Sequence, residues 1–159
     1  MNVLFALAVG AMVSAVSVVD QDGNPRNVPS AKPTLLIYED QDGGKQSQHC
    51  KDVIGKINTP KENQEKVDVV AIADLEKYNW WPAKKYALAD IQKMAKDKKT
   101  TIYLDWTGSI RKAWGLQKAK NNLILVGTDG KVLYASEGEC SESQLKELIA
   151  KMVSFGVKP

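Results

Sequence analysis

Two sulfurs pose the first chemical question. The chain has two cysteines, Cys50 and Cys140, and one histidine, His49. Cys50 lies at the end of "EDQDGGKQSQHC", residues 39–50, between an apolar run and a helical pattern. A thiolate is the form of cysteine that attacks disulfides and peroxides, and the positive end of a helix stabilises it. The pattern around Cys50 points elsewhere. Cys50, Val53, Ile54 and Ile57 recur at i, i+3, i+4 and i+7, which is one apolar helix face. With a helix starting near residue 46, Cys50 is a full turn inside, beyond the reach of the helix end, and packs as a small hydrophobe. His49 points away from its neighbour and is expected in solvent.

Cys140 precedes Ser141-Glu142-Ser143-Gln144, a capping box at the start of the last helical pattern. That makes Cys140 the apolar partner of Leu145 in a hydrophobic staple. The expectation is two free, buried thiols. A Cys50–Cys140 bond is left open, because spacing does not give the Cα separation a disulfide requires. No catalytic residue is assigned, with Cys50 as the alternative. No cofactor is assigned, and two cysteines with one histidine are too few for a zinc site of Cys and His ligands.

A second set of residues follows the apolar runs. Glu39, Asp40 and Asp42 come after the first, Asp74, Tyr78, Trp80 and Trp81 after the second, and Asp105 and Trp106 after the third. Where such runs are parallel strands, their carboxyl ends gather ligands. Tyr78, Trp80, Trp81 and Trp106 form a candidate ligand-binding rim for a peptide, a sugar or a hard cation. The competing expectation is that the tryptophans cover a sheet edge and the acids solvate turns. Trp114 stands beside Leu116 in a short helical pattern. Asp-Gln-Asp-Gly occurs twice, at 20–23 and 40–43. Neither copy carries the further ligands of a calcium loop, so both read as turns.

These residues need elements to position them. "AVSVVD" turns at "QDGNPR" into a first hairpin. "TLLIY" is a buried strand at about 34–38, and a helix follows at about 46–58. "TPKENQEK", residues 59–66, reads as a polar, solvated connection. A strand at about 67–73 leads through the aromatic loop to a helix at about 82–97, with Pro82 at its first position. "TTIYLD" is a strand, and "IRKAWG" a short helix ending at Gly115. "NLILVGTDGKVLYAS" is a hairpin around Asp129-Gly130, and a helix closes the chain. The βαβ stretches require parallel strands with right-handed crossovers, and the closing hairpin adds antiparallel ones. A mixed sheet with helices on both faces follows.

At 159 residues the chain fits a single domain. A net charge of +3, from 22 basic and 19 acidic residues, is too balanced to indicate nucleic acid. No run has the length and flanks of a membrane span. The first residues, "MNVLFALAVGAMVSA", have two readings. Val13 and Ala15 flank Ser14 as at a signal-peptidase site, but no Lys or Arg precedes the apolar run. Mature chain is the preferred reading.

The segment "YLDWTGSIRKAWGLQKAKNNLILVGTDGKVLYASEGECSESQLKELIAKM" resembles the YtfJ-type thioredoxin-like family, of redoxin-like build. The resemblance rests on Asp105, Gly108, Lys112, Ala113, Trp114, Leu116, Gly130, Lys131, Val132, Glu137 and Gly138. It implies one thioredoxin-like α/β domain over residues 1–159, with residues 1–31 as an N-terminal hairpin extension, and it places Trp114 in the core. It also implies an exported, periplasmic setting, with the cytoplasm as the alternative. Working thioredoxins carry two cysteines at the head of the first core helix and a cis-proline before the closing hairpin. Here Ser47 and the neighbourhood of Asn121 hold those places. The reading is therefore a thioredoxin-fold protein without disulfide exchange, which binds a protein or small ligand. The alternative is a single-cysteine redox protein or peroxidase using Cys50.

Overall fold

The computed structural model describes residues 7–159. Seven strands form one sheet in the order β2-β1-β5-β4-β3-β6-β7. They are β1 (Val16–Asp20), β2 (Pro25–Val28), β3 (Thr34–Glu39), β4 (Asp68–Asp74), β5 (Ile102–Asp105), β6 (Asn122–Val126) and β7 (Val132–Glu137). The central β3, β4 and β5 run parallel. β6 and β7 continue antiparallel beyond β3, and the β1–β2 hairpin joins antiparallel through β5. The fold is thioredoxin-like, a mixed sheet with helices on both faces and an N-terminal hairpin.

The helices are α1 (Gln48–Ile57), α2 (Lys61–Gln64), α3 (Ala83–Lys98), α4 (Ser109–Trp114) and α5 (Glu142–Ser154). Side chains alternate across the pleat, so β3 and β6 each feed two cores. Leu36, Tyr38, Ile124 and Val126 pack with Ile110 and Trp114 of α4 on one face. Leu35, Leu123 and Leu125 pack with Ile54 of α1 and Leu145, Leu148 and Met152 of α5 on the other. Trp114, which the family resemblance places in the core, is buried, and so is Leu116 beside it. The capping box of α5 forms: Ser141 Oγ accepts from the Gln144 amide, and the Gln144 side chain accepts from the Ser141 amide.

Val18 is buried in the first hairpin, and Asp20 Oδ1 accepts from the Asp22 and Asn24 amides to close its turn. Residues 7–15 lie against the domain. Leu7, Ala11 and Val13 pack on the α4-side core, Met12 bridges Lys131, and the Trp114 indole donates to the Ser14 carbonyl. The rest of the signal-segment alternative, residues 1–6, lies outside the described residues.

Two connections differ from expectation. Residues 59–66 are not merely a solvated link. They contain α2, whose Asn63 is buried and donates to the carbonyls of Ile57 and Lys158. The sequence shows only its polarity, and burial follows because the chain's last residues close over it. The aromatic loop also contains a 3-10 turn, Glu76–Tyr78.

Candidate functional site

Three parallel strands end together at Glu39, Asp74 and Asp105, and the loops that leave them carry the candidate residues. After β3 the chain makes a 3-10 turn, Gly43–Lys45, fixed by the Gly43 amide donating to Asp40 Oδ1 at 2.8 Å. Gly43 packs so closely on residues 120–121 that a Cβ would run into the Lys120 backbone. The second Asp-Gln-Asp-Gly copy is thus a turn seated against the loop before β6.

α1 begins at Gln48, not near residue 46. Ser47 is its cap residue and adopts a left-handed conformation, with φ 55°. Its hydroxyl therefore leaves the end of α1 uncapped and turns toward the loop before α5. It donates to the Gly138 carbonyl at 2.6 Å and accepts from the Cys140 amide at 2.8 Å, while the Ser47 amide donates to Glu139 Oε2 at 3.0 Å. Ser47 is 3% exposed.

The later start moves Cys50 into the first turn of α1, as its third residue. It is buried, as its apolar spacing requires, but it is not a free thiol. Cys50 and Cys140 form a disulfide across 90 positions, with their Cα atoms 6.3 Å apart. The expectation of two free thiols is overturned. Each half of the local reasoning holds: Cys50 lies on the core face of α1, and half-buried Cys140 packs beside the core that contains Leu145. What local patterns omit is that the Ser47 bonds bring the two segments together, with the sulfurs facing one another. His49 is exposed as expected, with Nε2 3.0 Å from Glu142 Oε1.

Asn121, at the place where thioredoxins carry a cis-proline, is almost fully buried. Its Nδ2 donates to Glu39 Oε2 at 2.6 Å, and its amide donates to Gln46 Oε1 at 3.1 Å. Lys51 Nζ reaches the same Glu39 oxygen at 2.9 Å. These bonds tie the residue before β6 to the end of β3 and, through Gln46, to the loop before α1.

Two of the rim acids are committed within the protein. Asp74 and Asp105 are buried. Asp105 accepts from the Ser109 and Ile110 amides, capping α4, and from the Tyr38 hydroxyl at 2.8 Å. Asp74 binds Arg111 Nε at 2.7 Å, and Arg111 also pairs with Glu76. Burial pushes the Tyr38 phenol far above its ordinary value, and the charges of Asp105 and Asp74 push it further the same way. Acids serving turns is the right reading for Asp40, which closes the Gly43 turn, and for exposed Asp42, but not for Asp74 and Asp105. Those two dock α4 onto the strand ends, and Arg111, which sequence reasoning passed over, is the counter-charge of Asp74 and Glu76. Among the described residues, no group of three His, Cys, Asp or Glu is placed to hold a metal.

The aromatic residues are brought together only in part. Tyr78, Trp80 and Trp81 share the loop between β4 and α3. Trp80 is 59% exposed and Trp81 83%, so they do not cover the sheet edge. The Tyr78 hydroxyl bonds Gln41, and the Trp80 indole donates to the Lys77 carbonyl at 3.2 Å. Half-buried Trp106 follows β5 and lies under Lys84, whose ammonium is 4.8 Å from the ring centre. α3 runs beside this cluster and buries a single residue, Ala95. Between α3 and α1 a groove stays open over the sheet, floored by Ile37, Val69 and Ala71.

A family model described as "Bacterial protein of unknown function (YtfJ_HI0045)" matches residues 39–154. No curated protein matches the sequence significantly. Solved structures do resemble the fold. The thioredoxin domain of a thiol-disulfide oxidoreductase from Bacteroides vulgatus is 16% identical, with a TM-score of 0.65 over 93% of this chain and 99% of that one. A thiol-disulfide oxidoreductase from Bacteroides fragilis is 12% identical, with a TM-score of 0.65 over 89% and 99%. The peroxidoxin BcpB from Mycobacterium tuberculosis is 18% identical, with a TM-score of 0.59 over 97% and 100%.

Proposed function

The chain belongs to the YtfJ_HI0045 family of bacterial proteins of unknown function, and on that premise we propose that it works by binding a protein or small ligand, without dithiol exchange at the head of α1. The observation that carries this reading is Ser47. It stands where the attacking sulfur of a Cys-x-x-Cys protein would be, it is buried, and its hydroxyl and amide are committed to residues 138–140. The two sulfurs join α1 to the loop before α5 as a staple. A disulfide of this kind persists in oxidising surroundings, which supports an exported, periplasmic setting. Among the described residues, no helix is long and apolar enough to cross a membrane. We read residues 1–159 as one domain with 1–31 as its extension. The contact surface is the aromatic rim of Tyr78, Trp80, Trp81 and Trp106.

The test compares the protein with a thioredoxin-fold control for insulin-disulfide reduction and thiol-dependent peroxide turnover. The expected result is neither activity. Turnover that disappears in Cys50→Ser would overturn this reading.

One observation favours a second reading. Cys50 lies in the first turn of α1, where the helix end stabilises a thiolate. An external dithiol attacking the half-buried Cys140 sulfur would form a mixed disulfide and expel Cys50 with the electron pair of the broken bond. The dithiol's second sulfur would then release Cys140, leaving both cysteines reduced and the dithiol oxidised.

A further inference from the structure

We propose that the segment from Lys77 to Tyr86 is a docking surface for an anionic lipid bilayer. This rests on the reading of the aromatic rim as the contact surface, and it gives that surface a lipid occupant in place of a protein or small ligand. Seven of the ten residues of the segment "KYNWWPAKKY" are aromatic or lysine. Trp80, Trp81 and Tyr86 are 59%, 83% and 66% exposed, and Lys77, Lys84 and Lys85 are exposed beside them. The adjoining acid, Glu76, is already paired with Arg111 and with Lys112 at 2.7 Å, and Lys118 lies 3.8 Å away. The exposed acids are Asp42 on the flanking loop and Asp90 and Asp97 further along α3. The surface therefore presents ammonium groups and ring faces together.

The charges beside the rings decide between occupants. Trp81 and Tyr86 are the most exposed rings, and Lys77, Lys84 and Lys85 stand beside them. Ring bodies with polar tips and flexible ammonium groups together settle at the boundary of anionic headgroups and acyl chains, where the apolar body is buried and the N–H or O–H meets headgroup or water. Attachment is peripheral. It draws on the two exposed indoles and on the attraction of each lysine to anionic headgroups, roughly fivefold in affinity per residue.

The experiment is co-sedimentation of the full chain with vesicles of phosphatidylcholine alone and of phosphatidylcholine mixed with phosphatidylglycerol, at low and high salt. Binding is expected on the anionic vesicles, with a blue shift of tryptophan emission and release by salt. Trp80→Ala with Trp81→Ala, and separately Lys84→Gln with Lys85→Gln, should each weaken binding by on the order of tenfold or more. Unchanged circular dichroism and an intact disulfide confirm that both variants fold. Equal binding to neutral and anionic vesicles overturns the proposal. So does a wild-type chain that ignores anionic vesicles; if that chain still captures a protein through Trp80 and Trp81, the lipid assignment falls and the rim reading stands. Anionic binding unchanged in the tryptophan variant overturns both.

Discussion

The sheet face that carries α1 and α5 and the same face beside α3 are built to different standards. Under α1 and α5, Ile54 and Leu148 are fully buried, the capping box fixes the head of α5, and the Cys50–Cys140 bond joins the two helices' leading ends. Beside α3 the helix buries one alanine, the sheet is left partly open, and large aromatic residues face solvent. Stability is concentrated in the first region. The second pays for exposed Trp80 and Trp81 without any packing return, which is the signature of a surface kept for contact.

The largest effects that could break this comparison lie in the stapled region. Ile54→Ala should cost about 2–5 kcal/mol in urea unfolding, because it leaves a void under a helix pinned at its head. Ile91→Ala in α3 should cost less than about 1 kcal/mol, and equal costs at the two sites would refute the contrast. Reduction, or Cys140→Ala, should cost about 2–4 kcal/mol, since the bond closes a long loop in the unfolded chain. The check is a lower urea midpoint for wild type with reductant and no further change for the variant.

Ser47→Ala should cost roughly 1–3 kcal/mol by leaving the Gly138 carbonyl and the Cys140 amide without their partner. A variant as stable as wild type would show that the disulfide alone holds the loop.

The smallest effect is pH-dependent and belongs to the opposite face. Tyr38 keeps its proton in the folded chain, whereas in the unfolded chain it loses it near its ordinary value of 10.0. The unfolded state then binds fewer protons, so stability is complete below that pH and falls as pH rises above it. Tyr38→Phe should flatten that alkaline limb in thermal melts recorded across the range. It should also lower stability near neutrality, through loss of the bond to Asp105.

Much of this was legible in local patterns because the forces behind it are local. The capping box at Ser141 and Gln144 needs only residues three apart, and the core face of α1 only a helical period. The turn at Asp20 needs only its own neighbours. The site was less legible. An acid after a strand reads the same whether it faces water or caps a helix, and only the arrival of α4 commits Asp105. Two residues of difference in where α1 begins carried Cys50 from the interior of the helix to its first turn.

By itself, then, the sequence determined the order of the strands and of the longer helices, the burial of Cys50 and Trp114, and the absence of a second cysteine at position 47. The tertiary structure decided that Cys50 meets Cys140, that Ser47 clasps the loop between Gly138 and Cys140, that Arg111 pairs with Asp74 and Glu76, and that Trp80 and Trp81 stay in solvent. The physical reason is range. Periodicity and capping act over three or four residues, whereas a disulfide spanning 90 positions and an ion pair joining β4 to α4 depend on where separate elements come to rest.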